Sequence, residues 1–331
     1  MRAMVLHEPK DITQKPLQLE DIPMPEPGPG QIRIKVTACG VCHTDLHTVE
    51  GDLPLPKLPL VPGHEVVGVV DKLGEGVSAF HAGDKAGAVW LYRTCGECRY
   101  CRSGRENLCE NAMFTGYHVD GGYAEYMVVD EAFAYHLPAN LPDPEIAPLM
   151  CGGVIGYRAF RLSEAKPGDV LGLYGFGNSA HITIQVARHL GIRVFVFTRS
   201  PEHQEHAREL GAEWVGRAED TPPEGIDSAI IFAPAGPLVP KALSVLNRGG
   251  TIALAGIYMT PIPEMPYNLL YFEHTLRSVA NSTRQDAIEL LKLAEEIPIH
   301  TTVTTLPLEE ANEVLQAMKE SKFKGDGVLI P

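Results

Sequence analysis

Four cysteines, Cys95, Cys98, Cys101 and Cys109, fall in one short stretch with the spacing C-x-x-C-x-x-C-x7-C. Four thiolates so close together can close a tetrahedral shell around zinc at Zn–S distances of about 2.3 Å, with no position left for a substrate. The spacing therefore predicts a structural zinc. An iron–sulfur motif opens with the same three cysteines but places its fourth differently. A second set is dispersed: Cys39 and Cys42 in Ala38-Cys39-Gly40-Val41-Cys42-His43-Thr44-Asp45-Leu46-His47, His64 and Glu65 in Pro62-Gly63-His64-Glu65, and Cys151 ahead of Gly152-Gly153. Cys42, His64 and Cys151 would make a Cys2His set with an open fourth position, the arrangement of a catalytic zinc. Spacing alone does not bring them together. Each taken singly is more often a packing residue, and Cys39 with Cys42 also reads as a C-x-x-C redox pair.

A third signal is Gly175-Phe176-Gly177-Asn178-Ser179-Ala180, which matches G-x-G-x-x-G/A. The first glycine makes a tight turn, the second admits a pyrophosphate close to the backbone, and a small third residue lets helix and strand approach. An NAD site places an acid about 20 residues on, at the end of the next strand, whereas an NADP site lacks it and often supplies arginine. Here that strand ends Phe197-Thr198-Arg199-Ser200. Arg199 can pair a 2′-phosphate, flanked by the hydroxyls of Thr198 and Ser200. NADP(H) is thereby favoured over NAD(H); otherwise Arg199 is a solvated cation stacked on adenine.

These residues need two kinds of scaffold. Residues 2–147 are rich in Gly, Pro and short alternating runs such as Gln31 to Val36, Glu65 to Val70 and Tyr123 to Val129, which predict a mostly antiparallel β unit with long loops and little helix. The segments 38–47 and 62–65 read as loops flanking those strands. After Cys151, strands at 170–174, 194–197, 226–232 and 251–254 alternate with helical stretches at 180–190, 202–210 and 238–246, which predicts a parallel sheet covered on both faces. Two further helices at 285–296 and 308–319 flank a β-prone run at 301–305.

Composition narrows the class. The 331 residues suffice for two or three globular units. With 28 Lys+Arg against 42 Asp+Glu the net charge is −14, and without a dense basic run this disfavours nucleic acid and anionic lipid as partners. No apolar stretch approaches the roughly 18 residues of a membrane span. The start, Met1 to Glu8, carries charge inside its first apolar run and makes no signal or transit peptide, so a cytoplasmic location is expected. Seven cysteines, an odd count with four clustered, favour metal over disulfides in such a compartment.

Taken in order, Gly40-Val41-Cys42-His43-Thr44-Asp45, Pro62-Gly63-His64-Glu65, the cysteine lobe, Asp120-Gly121-Gly122-Tyr123-Ala124-Glu125-Tyr126, Cys151-Gly152-Gly153 and the glycine turn span nearly the whole chain. The set resembles the zinc-dependent medium-chain alcohol dehydrogenases. The resemblance implies an α/β fold in which a GroES-like, mostly-β catalytic domain (1–150 and 282–331) is interrupted by a doubly wound, parallel-sheet Rossmann domain (151–281). It implies two zinc ions: a catalytic one on Cys42, His64 and Cys151, with Glu65 as a transient ligand, and a structural one on the four-cysteine lobe. It also implies that Asp45 orients His64, that Thr44 and His47 form a proton relay, and that Cys39 belongs to the core. Trp90 and Leu53 match positions lining an alcohol pocket, with Tyr117 nearby; alternatively Trp90 fills the core beneath the zinc loop. The implied reaction interconverts alcohols, most naturally primary ones, with aldehydes or ketones; a reductase of another carbonyl or quinone substrate is the runner-up. A homodimer or homotetramer is implied. Relatives often carry a pyrophosphate-binding arginine in Gly-Arg-x-Val-Leu, where this chain reads Lys324-Gly325-Asp326-Gly327-Val328-Leu329. Asp326 would repel a phosphate, which leaves Arg284 or the backbone amides of 177–179 to serve instead.

Overall fold

The computed structural model describes residues 1–297, 299–320, 322 and 325–331. The chain begins with an antiparallel pair, β1 (Arg2–Leu6) and β2 (Leu17–Asp21). The long β3 (Gln31–Val41) leads directly into α1 (His43–Glu50). Then follow β4 (Glu65–Leu73), β5 (Lys85–Ala88), β6 (Leu91–Arg93), the short α2 (Arg99–Arg102) inside the cysteine lobe, β7 (Met113–Phe114), β8 (Tyr126–Asp130), β9 (Ala134–His136) and the short α3 (Asp143–Ile146).

The next segment alternates: α4 (Gly152–Ser163), β10 (Val170–Tyr174), α5 (Asn178–His189), β11 (Arg193–Phe197), α6 (Pro201–Glu209), β12 (Trp214–Gly216), β13 (Ile226–Ile231), α7 (Leu238–Ser244), β14 (Leu246–Leu254) and β15 (Thr275–Ser278). The chain closes with α8 (Arg284–Glu296), β16 (Val303–Pro307), α9 (Ala311–Lys319) and β17 (Asp326–Ile330). Two compact units result. One holds Met1–Cys151 and Ser282–Pro331, the other Gly152–Asn281.

In the first unit the main sheet runs β16-β17-β3-β4-β5-β9, with β8 also on β3. Strand β3 pairs antiparallel with β4 and with β8, and receives β17 at its far end, where Gly327 faces Val41. The closing segment thus supplies strands to a sheet begun nearly 300 residues earlier. Asn312 of α9 fastens it further. Its side chain accepts the Leu17 N–H at 3.1 Å and donates to the Leu17 carbonyl at 2.9 Å, in a buried setting where water cannot replace either bond.

The second unit is an all-parallel six-stranded sheet in the order β12-β11-β10-β13-β14-β15. This is the doubly wound 3-2-1-4-5-6 arrangement, with its switch point between β10 and β13. Period-two alternation divides β10 between two cores: Leu171 and Leu173 pack with α4 and α5 through Phe160, Ala180 and Ile184, while Val170 and Tyr174 pack with α7 through Val239, Ala242 and Leu243. Both faces are apolar, which explains why the strand is a continuous hydrophobic run.

The first helix of this unit, α4, begins directly after Cys151. Gly152 and Gly153 are buried helical residues, and small residues in α4 are required where it crosses α5: a Cβ on Gly156 would lie 2.6 Å from Thr183 Oγ1. Replacing Asn312 by leucine should strand two buried backbone groups at a cost of roughly 2–5 kcal/mol, observable as a thermal midpoint lowered by about 5–15 °C.

Candidate functional site

Residues 42–50 depart from the expected loop. Cys42 is the N-cap of α1, its Sγ accepting the Thr44 N–H at 3.3 Å. The Asp45 carboxylate returns the bond, Oδ2 accepting the Cys42 N–H at 3.0 Å. This is a capping box with a thiol in place of the usual hydroxyl. It sets a thiol at the start of a helix, beside the first unpaired N–H groups.

The other Asp45 oxygen, Oδ1, accepts from Gly63 N–H at 3.2 Å and lies 3.1 Å from His64 Nδ1. The His64 ring therefore turns Nε2 toward Cys42 Sγ, 3.3 Å away, and Cys42 Sγ lies 3.9 Å from Cys151 Sγ. Tetrahedral zinc with Zn–S of about 2.3 Å and Zn–N of about 2.0 Å requires S···S edges of about 3.8 Å and S···N edges of about 3.5 Å. The donors fit that shell. A carboxylate oxygen of Glu65 joins the group, all four donor atoms lying within 4.8 Å of one another. Cys151 belongs to the first unit, so this set is internal to it.

The cysteine lobe is a second such group. Sulfur pairs Cys95–Cys101, Cys98–Cys101 and Cys95–Cys109 stand 3.8, 3.5 and 3.5 Å apart. Backbone N–H groups of Cys98 and Cys101 point at Cys95 and Cys98 sulfurs. Four thiols form the whole group, as a closed zinc shell requires. Cys39 belongs to neither group; it is fully buried in β3.

Electrostatics in the two groups differ. In the dispersed one, the contact with Cys151 and then burial push the Cys42 thiol well above its usual range. Burial and the neighbouring Cys42 do the same to the Glu65 carboxyl. For Cys151, the contact with Cys42 pulls downward, but burial and the carboxylates Glu65 and Asp45 outweigh it. Burial opposes charge on His64, yet Asp45 and Cys42 more than compensate and hold its pKa well above normal. In the lobe, the backbone N–H groups of Glu97 and Cys98 bring Cys95 down to about 7, while burial raises Cys109 to about 11.

Around the dispersed group stand aromatic rings. Trp90 meets His64 edge-on at 5.0 Å, stacks on Phe114 at 5.0 Å and tilts against Tyr117 at 5.8 Å. The Tyr117 hydroxyl donates to the Pro54 carbonyl at 2.6 Å, tethering the loop that carries half-buried Leu53. Phe114, which backs Trp90, has no signal of its own in the sequence. Thr44 and His47 sit on α1 three residues apart, hence on one face. His47 Nδ1 lies 2.7 Å from Asp52 Oδ2.

In the second unit, Gly175 follows β10 at φ +88°, and a Cβ there would lie 2.9 Å from the Ala233 nitrogen. Helix α5 then starts from Gly177 with no side-chain cap, so its first N–H groups, Asn178 to Ala180, have no partner from a capping side chain. Such an end suits a phosphate. Ala180 is fully buried, as its close-packing place demands. His181, unremarked in the sequence, is within hydrogen-bond reach of the Phe176 carbonyl through Nε2 at 3.1 Å and braces the turn; burial and then His206 and His203 lower its pKa to about 4, so it stays neutral. At the end of β11, Arg199 is exposed with no ion pair among the described residues, Thr198 is buried, and the Ser200 hydroxyl caps α6 by accepting the His203 N–H at 3.4 Å.

One expectation is overturned. Arg284 is not available for a pyrophosphate: its Nε lies 3.3 Å from a buried Glu106 carboxylate and its guanidinium covers the Phe133 ring at 4.9 Å. A helix-starting arginine beside a buried acid within the same unit is a structural tether. Asp326 is half-buried at the start of β17, and burial raises its carboxyl to about 7. Lys324 of the same stretch lies outside the described residues.

Because Cys42, Cys151 and Glu65 all hold protons more tightly than usual, a metal entering the dispersed group must displace them, and its affinity should rise with pH. Zinc added back to chelator-stripped protein should release at least two protons per ion at this group around pH 7, read by calorimetry in buffers of different ionisation enthalpy. Uptake there should weaken below neutrality by more than tenfold per pH unit.

The family description alcohol dehydrogenase GroES-like domain matches residues 28–139, and zinc-binding dehydrogenase matches residues 180–296. The chain is 45% identical over 336 residues to the probable alcohol dehydrogenase AdhA of Mycobacterium tuberculosis, with 100% of this chain and 97% of the relative covered. It is 37% identical over 338 residues to an alcohol dehydrogenase of Geobacillus stearothermophilus, at 99% and 98% coverage. A solved NAD-dependent alcohol dehydrogenase superposes with a TM-score of 0.88 at 28% identity, covering 100% of both chains. With its GroES-like and Rossmann units and full-length identity to such relatives, this chain belongs to the zinc-binding, NAD(P)-dependent medium-chain alcohol dehydrogenases.

Proposed function

We propose that this enzyme interconverts small primary alcohols and their aldehydes, using a catalytic zinc on Cys42, His64 and Cys151, a structural zinc on Cys95, Cys98, Cys101 and Cys109, and NADP(H) in preference to NAD(H). The observation that carries the reading is the convergence of one imidazole and two thiols at tetrahedral edge distances, with a carboxylate behind the imidazole. When bound, the zinc supplies the Lewis acidity that lets an alcohol hydroxyl lose its proton near neutral pH, and the nicotinamide supplies the hydride acceptor.

The protein's own residues do the rest. Asp45 fixes the His64 tautomer and orientation. Glu65, buried and unpaired by any cation in the described residues, is a spare ligand within reach of the same point. Thr44 and His47 carry the proton from the substrate side toward solvent. Trp90, with Phe114 behind it and Leu53 on the tethered loop, gives an apolar, partly aromatic wall suited to a small carbon chain.

Gly175, Gly177, Asn178, Ser179 and Ala180 hold the pyrophosphate through backbone amides. Thr198, Arg199 and Ser200 receive the 2′-phosphate, since no carboxylate stands there to bind ribose hydroxyls or repel the extra charge. Thiol-held zinc accords with a reducing, cytoplasmic setting. We further infer a homodimer or homotetramer. The support is β15, at the edge of the sheet and paired among the described residues with β14 alone, which follows a segment exposing Ile257, Tyr267, Tyr271 and Phe272.

The test is metal analysis joined to initial rates. The purified protein should hold two zinc ions per chain and reduce aldehydes faster with NADPH than with NADH. Cys151→Ser should retain one zinc and lose activity by about a thousandfold or more; a protein with a single zinc and full activity would sink the reading. Arg199→Ala should lower kcat/KM for NADPH roughly 10- to 100-fold while sparing NADH. Light scattering should give two or four times the 36.0 kDa chain mass, and a clean monomer contradicts the assembly.

A further inference from the structure

Helix α1 ends at Gly51, whose φ of +81° reverses the chain, and whose N–H bonds back to the last turn. A side chain at that position would also meet Pro9, its Cβ 2.8 Å from the Pro9 Cβ. The reversal carries the next residue back over the helix. Asp52 N–H donates to the His47 carbonyl at 3.0 Å, and Asp52 Oδ2 closes on His47 Nδ1 at 2.7 Å. Backbone and side chain of one residue thus grip both ends of the same histidine.

We propose that Asp52 is the positioning residue of the proton exit, fixing His47 with its proton on Nδ1 so that Nε2 presents a lone pair to the incoming proton. This rests on the reading of His47 as a relay. A carboxylate only accepts, so a neutral His47 bonded to it carries hydrogen on Nδ1. One proton then arrives at Nε2, the ring becomes an imidazolium beside the Asp52 carboxylate, and the same count of one proton leaves to water. Asp45 and His64 use the same pairing, carboxylate on Nδ1, between α1 and the loop before β4. The two pairs differ in burial. Asp45 is 2% exposed and holds its partner permanently, whereas the Asp52 side chain is 54% exposed and that of His47 24%. A pair so solvated orients the ring without trapping the proton. The helix C-terminus adds to this, since His47 lies in the last turn of α1, where a cation is favoured.

Further titratable groups on α1 include His43 and Glu50. His43, one turn earlier, interacts unfavourably with His47 as a cation. Glu50 accepts from the Ile12 N–H and pairs with Lys319 of α9, which also holds Asp11. Asp52 is a carboxylate in direct contact with the imidazole.

Alcohol oxidation by zinc-loaded enzyme, followed as kcat against pH for wild type, His47→Gln, Asp52→Ala and Asp52→Asn, separates the possibilities. Asp52→Ala loses both orientation and charge: its plateau kcat should fall about tenfold, and the pH of half-plateau should move down by about half a unit to one unit, because the imidazolium loses its counter-charge. Asp52→Asn keeps an acceptor for Nδ1–H and should recover most of the plateau while retaining the downward shift. Zinc content and thermal midpoint should match wild type in all three. A lowered plateau with no movement of the half-plateau pH in either Asp52 variant marks a merely structural role and overturns the proposal. If His47→Gln is impaired and both Asp52 variants behave as wild type, the proposal alone fails. If His47→Gln is itself unimpaired, the relay reading fails and takes the proposal with it.

Discussion

The buried Asp45 carboxylate is the constraint on which the metal centre depends. A charge removed from water persists only if its oxygens are fully hydrogen-bonded. Asp45 meets this with the Cys42 N–H, the Gly63 N–H and the His64 ring, which come from the start of α1 and the loop before β4. In satisfying one buried acid the chain brings a thiol and an imidazole to a common point. The capping box and the ligand geometry share Cys42 and Asp45.

The sheet of the first unit makes that point rigid. Strand β3 delivers Cys42 at its end and β4 begins at Glu65, and Gly40 faces Glu65 in the register between them. Strand β17 then covers the other side of β3, so the closing segment of the chain buttresses the strand that presents the site. Asn312 and the Arg284–Glu106 pair hold that segment in place. Arg284 shows how a buried partner overrides sequence position: beside a buried acid a guanidinium is committed to the fold, because leaving Glu106 unpaired would cost more than any surface contact returns.

The second unit follows simpler physics. Continuous apolar strands, helices on both faces and a glycine turn at the switch point are local patterns whose meaning survives without knowledge of distant contacts. The uncapped start of α5 and the acid-free end of β11 are two halves of one electrostatic environment, both favouring negative charge. His181 braces the turn without adding charge to it, since burial keeps the ring neutral.

From the sequence alone, the parallel-sheet unit, the glycine turn and the four-cysteine lobe were legible, because each is written within a few residues and needs only short-range geometry. Sequence spacing did not assemble Cys42, His64 and Cys151, which lie 22 and 109 residues from the first member to the others; there, only family resemblance named them as a set. The helical state of residues 43–50 was missed, since a cysteine N-cap replaces the usual hydroxyl and the segment has no strong apolar stripe. Asp52 and Phe114 were missed for the same kind of reason: one gains its meaning from a left-handed turn at Gly51, the other from stacking on Trp90. Local chemistry is readable where ligands are neighbours in the chain. Where a buried charge must collect its partners from separate strands, only the folded sheet decides which residues meet, because desolvation and hydrogen bonding act through space and not along the chain.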